Sequence, residues 1–585
     1  MRYLVLIPLL FCTLFGHAQN RILVDGEFKD WAKHPTTYTD AAGDGGSSGI
    51  DFGKAQIFND ADYIFFYVET GTEINLQDLN DVVIYIDIDN NTSTGTSKNG
   101  IGADLSYTFG DRSGSYHTSS NSSVSIRHRD IGLITAPTVT SDRFEIGIKR
   151  VFSINGILKK MGDSVKVVFM DNASNGDVLP SNNGGVSYTF STTNLEPLPS
   201  FSLQKPTMSN LRIMSYNVER DGLFEASRVP AYTRVFQALQ PDIIGFQEVY
   251  NHSSLQIADL IETMLPSAAG AQWYHAMAKP DCHVVSKYPI LKSAQIPGVN
   301  GSGNGAFLID IPNSKTEMLL IVAHPPCCTN NSGRQTEVDR IMEFVRKSKN
   351  GKGPIQLDTN AQIVILGDMN FVGDHNQLTT LLSGDIFDET SYGSDFTPDW
   401  DGSNLLDAKP PTTGVPFSFS WYSESSSFSP GRLDYVLYSG SNLTLENSYS
   451  LFTPGLAQDS LSKYTLLSND VIIASDHLPL VADFTVKNNS TQSVLNTQRS
   501  LGYLEIYPNP ASDVVGVSFI NPQHGVVTMQ LVDGAGSIIS TLYNGDLVTG
   551  KNTLQFSAAT YPSGTYIITV TSANSIYHRR ISVVH

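Results

Sequence analysis

Leu366-Gly367-Asp368-Met369-Asn370 closes an apolar run and delivers a carboxylate and an amide at its end. Apolar runs bounded by turn residues read as buried strands. Three other runs end alike: Ser215-Tyr216-Asn217, Phe246-Gln247-Glu248 and Ser475-Asp476-His477. Scattered acids are common in any chain. Acids and amides at several strand ends, with one Asp-His pair, are what a divalent cation and an in-line attack on phosphorus require.

The chemistry follows from the residue types. Glu248, Asp368 and Asp476 offer hard oxygens of the kind magnesium prefers, and Asn217 and Asn370 can turn a carbonyl to metal or an amide to phosphate. His477 could take a proton from water if a carboxylate fixed its tautomer, and Asp434 in Arg432-Leu433-Asp434-Tyr435-Val436 is a candidate for that task. His324 ends the run Leu319 to Ala323 and could donate to a phosphate oxygen. Each residue alone has a plain alternative. Asn217 could cap a turn, Glu248 sit on the surface, Asp434 pair with Arg432, and either histidine be an ordinary satisfied one. The joint pattern favours a site.

Outward from these runs, 585 residues make room for several domains. Residues 1–18 read as a secretory signal: Arg2, an apolar core from Leu4 to Phe15, then Gly16-His17-Ala18. No later stretch is long and apolar enough for a membrane helix. Residues 20–195 carry short strands and Gly, Asn, Ser and Asp turns, and read as a β-sandwich. A Pro-bearing linker leads to 210–487, where strands alternate with amphipathic helices such as Ser332 to Ser348. Residues 488–499 are a polar linker, and 500–585 read as a small β-sandwich.

Net charge is −19, and 210–487 holds 18 Lys and Arg against 30 Asp and Glu, which disfavours gripping nucleic acid by bulk attraction. It leaves a metal-assisted nuclease open, because a bound cation changes the local field. In an oxidising compartment Cys282 is expected to bridge to Cys327 or Cys328, with zinc the weaker alternative because two of the three cysteines are adjacent. Asp87, Asp89 and Asn91 alternate like calcium ligands, against the simpler reading of a polar loop.

Ser215-Tyr216-Asn217-Val218, Gln247-Glu248-Val249, Gly367-Asp368-Met369-Asn370, Arg432-Leu433-Asp434-Tyr435 and Ser475-Asp476-His477-Leu478-Pro479-Leu480 together resemble the endonuclease/exonuclease/phosphatase superfamily, in order over about 275 residues. The resemblance implies a deoxyribonuclease I-like four-layer α/β sandwich. It implies Mg2+ or Mn2+ at Glu248, with Asn217 and Asp476 close by. Asp368 and Asn370 are expected at the scissile phosphate, His477 as acid/base held by Asp434, and His324 on the phosphate. A nuclease is the first expectation. A phosphomonoesterase, a sphingomyelinase-like phospholipase or a non-catalytic glycan-binding surface protein are the alternatives. Phe419-Ser420-Trp421 resembles a segment of the nuclease branch, or is core. Residues 20–195, with Asp25-Gly26-Glu27-Phe28-Lys29-Asp30-Trp31, resemble a family-9 carbohydrate-binding module, implying a glycan partner. Residues 500–585, with Ile506-Tyr507-Pro508-Asn509-Pro510 and Pro562-Ser563-Gly564-Thr565-Tyr566, resemble the type IX secretion sorting domain, type A. That resemblance implies secretion or surface display by the type IX machinery of a Gram-negative cell.

Overall fold

A computed structural model describes residues 19–487 and 504–585, apart from 120–121, 200, 280, 300–302, 313, 522–523, 534–537 and 573–574. The signal segment 1–18 and the linker 488–499 lie outside the described residues.

Between Leu211 and Val486 the strands form two six-stranded sheets. The first contains β1 (Leu211–Asn217), β2 (Ile243–Gln247), β3 (Tyr274–Lys279), β4 (Cys282–Ser286), β11 (Leu443–Ser450) and β12 (Leu480–Val486), in the order β3-β4-β2-β1-β12-β11. The second contains β5 (Ile290–Pro297), β6 (Gly303–Ile309), β7 (Met318–Ala323), β8 (Gln362–Asp368), β9 (Leu406–Asp407) and β10 (Asp434–Tyr438), in the order β5-β6-β7-β8-β10-β9. Only β1/β2 and β7/β8 run parallel within these sheets.

Side-chain alternation explains both the packing and the site. Leu211, Ile213, Ile243, Leu320, Val322, Val364, Leu366, Val436 and Leu480 fill the space between the sheets. The intervening Met214, Tyr216, Ile244 and Phe246 pack with α1 (Val229–Leu239) and α2 (Ser254–Met264). Leu319, Ile321, Ile363, Ile365 and Leu437 pack with α3 (Asn331–Lys349) and α4 (Asn376–Ser383). Strands buried on both faces read as continuous apolar runs, as these do. The result is four layers, helix on sheet on sheet on helix. The period of two puts Asn217, His324, Asp368 and Asp434 in phase with the inward-facing residues. They are the polar rim where the apolar interior ends.

Residues 19–195 form a β-sandwich. One sheet carries Lys54–Asn59, Tyr63–Ile74 and Ser141–Lys149, and the other Val82–Asp87, Leu105–Thr108 and Ser164–Asp171. Ile64, Phe66, Val68, Ile146 and Ile148 pack against Ile84, Ile86, Val165 and Val167. The opposite side chains Phe65 and Tyr67 join Ile22, Val24 and Trp31 in one apolar cluster with Phe417 and Phe419 of the four-layer region. Val24 donates to the Pro416 carbonyl and Ser418 donates back to Val24, so the two regions share backbone hydrogen bonds as well as a core. They form one compact unit.

The C-terminal region is a separate unit. Leu504–Tyr507, Val514–Asn521 and Gly550–Ser557 make one sheet; Ile538–Leu547, Gly525–Val532, Gly564–Ser572 and Ser575–Val583 make the other. Val515, Val517, Phe519, Met529, Leu531, Ile568 and Val570 are its core.

Candidate active site

The register of β8 and β10 sets Asp368 directly opposite Asp434, and that of β1 and β2 sets Asn217 beside Gln247, with Glu248 following. Asn217 Nδ2 donates to Glu248 Oε1 and to Asp368 Oδ2, each at 3.1 Å, joining the two sheets at their rim. Glu248 takes a left-handed backbone (φ 63°) where the chain leaves β2, and its Oε2 accepts from Arg220 N at 3.0 Å. Asp368 Oδ1 accepts from Asn370 N at 3.0 Å, and Asn370 Nδ2 reaches the Pro325 carbonyl at 3.0 Å. Asn370 is thereby tied to the loop after His324.

Two histidines flank Asp368. His477 Nδ1 lies 2.8 Å from Asp434 Oδ2, and its Nε2 lies 3.5 Å from Asp368 Oδ2. Burial alone would depress this imidazole, but Asp434 and then Asp368 outweigh it and hold the pKa up at about 10. His324 Nδ1 meets Asp281 Oδ2 at 3.0 Å, while Nε2 stands 3.6 Å from Asp368 and 3.9 Å from Glu248. Burial again opposes the charge, and Asp281 and Asp368 win, raising it to about 9. Burial pushes the Asp368 carboxyl up, against the pull of His477. The Asp434–Arg432 pairing weighed from sequence does not form. Arg432 pairs with Asp407, and Asp434 with His477.

A hairpin secures this pair. Ser420 Oγ accepts from both Leu433 N and Asp434 N, and Tyr422 N donates to the Asp476 carbonyl. Trp421 Nε1 donates to Asp476 Oδ2 at 3.0 Å. Phe419 is core, while Trp421 is engaged with the site. Asp476 therefore stands beside, not within, the two acid-histidine groups Glu248/His324/Asp368 and Asp368/Asp434/His477. Ser475 Oγ donates to the Asn217 carbonyl, fastening the His477 segment to β1.

Sequence reasoning missed Asp281, Ser420 and Ser475. Asp281 immediately precedes β4 and lies 43 residues before His324. Its partner becomes visible only once the sheets are paired. One other expectation is corrected. Cys282, Cys327 and Cys328 are free thiols: Cys282 is buried inside β4 with Sγ against the Gly303 carbonyl at 3.7 Å, while the other two are exposed. In the first domain, Asp104 joins Asp87 and Asp89, while Asn91 N donates to both Asp87 and Asp89 and its Oδ1 accepts from Ser93 N. Trp31 is 1% exposed and donates Nε1 to Glu145, so it offers no face to a sugar.

The donor set fits a divalent cation. Glu248 and Asp368 bring hard oxygens within 4.8 Å of each other, and Asp434 Oδ1 is buried without a partner. Carboxylates, amides and carboxylate-held imidazoles around one rim are the residue types that metal-assisted hydrolysis of a phosphate ester draws on. Residues 214–477 match the Endonuclease/Exonuclease/phosphatase family, and residues 505–584 match the Secretion system C-terminal sorting domain. The chain is a hydrolase of phosphate esters whose C-terminal signal directs type IX secretion, to the medium or the cell surface. Similar solved structures include the human Nocturnin catalytic domain with bound sulfate, at 17% identity over 48% of this chain and 95% of that one, with a TM-score of 0.30. Another is D. rerio TDP2 complexed with single-strand DNA product, at 14% identity over 48% and 100%, TM-score 0.32. A third is ANGEL2, a 2',3'-cyclic phosphatase, with adenosine-2',3'-vanadate, at 17% over 47% and 95%, TM-score 0.32. No curated protein matches the chain. Among the described residues no helix is long and apolar enough to cross a membrane.

Proposed function

We propose that the enzyme is a magnesium- or manganese-dependent nuclease that hydrolyses phosphodiester bonds by attack of water. The observation that carries the catalytic reading is the His477–Asp434 pair aimed across Asp368. Glu248, with Asn217 and Asp476 close by, would hold the cation, which when bound would supply charge neutralisation at the phosphate and the leaving oxygen. Asp368 and Asn370 orient the attacking water. Asp434 fixes the tautomer of His477, which exchanges the proton at Nε2. His324, held as a cation by Asp281, donates to a phosphate oxygen.

Tyr250 favours a nucleic acid over a lipid headgroup. It is 46% exposed and follows Glu248 by two residues, where the chain leaves β2 at the rim. Exposed aromatic faces stack bases irrespective of sequence, worth about 1–3 kcal/mol per base.

The test is hydrolysis of plasmid DNA, RNA, a phosphodiester dye, a phosphomonoester dye and sphingomyelin by the full chain, with chelator and with magnesium or manganese. Nucleic acid should be cut fastest, chelator should stop the reaction, and Glu248→Ala should abolish it with the fold intact. Affinity should fall only gently with salt, because so acidic a chain offers few phosphate-neutralising cations. Preference for the monoester or sphingomyelin would overturn the nuclease reading, and full activity in chelator would overturn the metal.

A further inference from the structure

The first domain holds a knot of carboxylates that the catalytic chemistry leaves unused. Asp40, Asp44 and Asp177 bring one ligand oxygen each within 4.8 Å of one another. They come from two loops built to touch. Asp51 accepts from Gly43 N and Gly45 N, which curls the segment carrying Asp44. A Cβ on Gly46 would lie 1.8 Å from the Asn175 carbonyl, so only glycine allows this approach. Ser47 Oγ donates to the Ser174 carbonyl and Ser48 Oγ to Asp171, stitching the loops together.

The buried carboxylates are unequally served. Asp177 accepts from Phe52 N and Val178 N, one on each oxygen. Asp40 Oδ1 accepts from Ser181 N and Oγ. Asp40 Oδ2 has no partner, although Asp40 is only 8% exposed. Among the described residues, no lysine, arginine or histidine forms an ion pair with any of the three. Burial pushes both Asp40 and Asp177 carboxyls up. A buried carboxylate oxygen without donor or counter-charge is costly, and a bound cation removes that cost.

We propose that Asp40, Asp44 and Asp177 bind a structural divalent cation of the calcium class. The donors are all hard oxygens, with no imidazole or thiolate for zinc. Their irregular, loop-built arrangement suits an ion that accepts six to eight oxygens in flexible geometry, with main-chain carbonyls and water completing the shell. The neighbouring group Asp87, Asp89 and Asp104 carries no such orphan. Asp87 accepts from Asn91 N and Gly102 N, Asp89 from Asn91 N and Thr94 Oγ1, and Asp104 from Ile88 N.

Calorimetric titration of the chelator-stripped full chain with calcium chloride, in excess magnesium to occupy the catalytic carboxylates, tests the site. Wild type should take up calcium, and at a hundredfold excess over Kd its melting temperature should rise by roughly 3 °C. Asp44→Asn, on an exposed side chain, should bind one calcium fewer and lose most of the rise while hydrolysing substrate at the wild-type rate. Asp40→Asn, which keeps the carbonyl oxygen facing Ser181, should also lose one calcium. Asp89→Asn should retain this site. The absence of calcium uptake by wild type, or an unchanged count and melting shift in Asp44→Asn, would overturn the proposal.

Discussion

His477 and Asp434 act as one device. Their partner atoms stand 2.8 Å apart, and both groups are buried. His477→Ala should remove proton transfer and orientation together, a loss of about 10²–10⁴-fold in turnover. Asp434→Asn keeps the shape but mis-sets the tautomer, and should cost at least about tenfold. The double variant should be little slower than His477→Ala alone, because residues acting as a unit are not additive. Turnover of the three variants at one pH, with metal in excess, decides this. Multiplying losses would make Asp434 an ordinary packing acid. Asp25 gives a pH prediction of the opposite kind. Burial, reinforced by the charges of Asp30 and Glu27 and opposed by the Glu27 amide, raises its carboxyl to about 6. The folded chain then binds this proton more tightly than the unfolded chain. Its contribution is fully present below about pH 4 and is lost as pH rises through 6. Asp25→Asn should therefore stabilise the protein by about 1–2 kcal/mol at pH 8, after discounting for partial exposure, and change little at pH 4. Equal melting shifts at the two pH values would count against it.

At the level of strands, the meeting of β7 and β8 holds the site open at the right width. Gly367 has φ 139°, and a Cβ there would lie 1.9 Å from the Ala323 carbonyl on the parallel neighbour. Gly367→Ala must part the strands that deliver His324 and Asp368. It should cost roughly 2–3 kcal/mol and depress hydrolysis as well. A variant melting and turning over like wild type would show that the two strands yield without harm. This position also marks how far sequence carries. Three of the four apolar runs were readable because strands buried on both faces leave no other pattern, and Asn217, His324, Asp368 and Asp434 meet where alternation places them; the run before Ser475, read as a strand, is the helix Asp470–Ala474, and His477 sits in the loop between it and β12. Asp281 was not readable, because its link to His324 depends on sheet pairing across 43 residues. Asp104 was missed because spacing along a loop does not reveal that a residue on another segment faces Asp87 and Asp89. The cysteines misled because compartment chemistry says what can bridge, while burial of Cys282 inside a sheet decides what does.

Across the whole molecule, the first sandwich and the four-layer region share an apolar cluster from Ile22 to Val481. Thr138 Oγ1 of the sandwich donates to the carbonyls of Phe371 and Arg432, each within two residues of a site residue. These regions should melt in one transition, distinct from that of the C-terminal unit. Calorimetry of the full chain and of a chain ending at residue 487 checks this. Loss of a whole peak on truncation, with the remaining one unmoved, is the expected outcome. Three separate peaks would mean that the shared core couples nothing.

The pairing of β1 with β12 has a temporal consequence. Leu211 lies opposite Phe484, so the strand that ends in Asn217 gains its neighbour only after some 270 further residues exist. A chain emerging from the ribosome, or threading through an export pore amino end first, carries Glu248 and Asp368 long before His477 and the strand that braces it. Until that late segment arrives the His477–Asp434 pair does not exist, and β1 has an unfilled edge. The topology thus ties completion of the centre to completion of synthesis, because a growing chain lacks the last-made strand and the histidine before it until nearly all of the four-layer region exists.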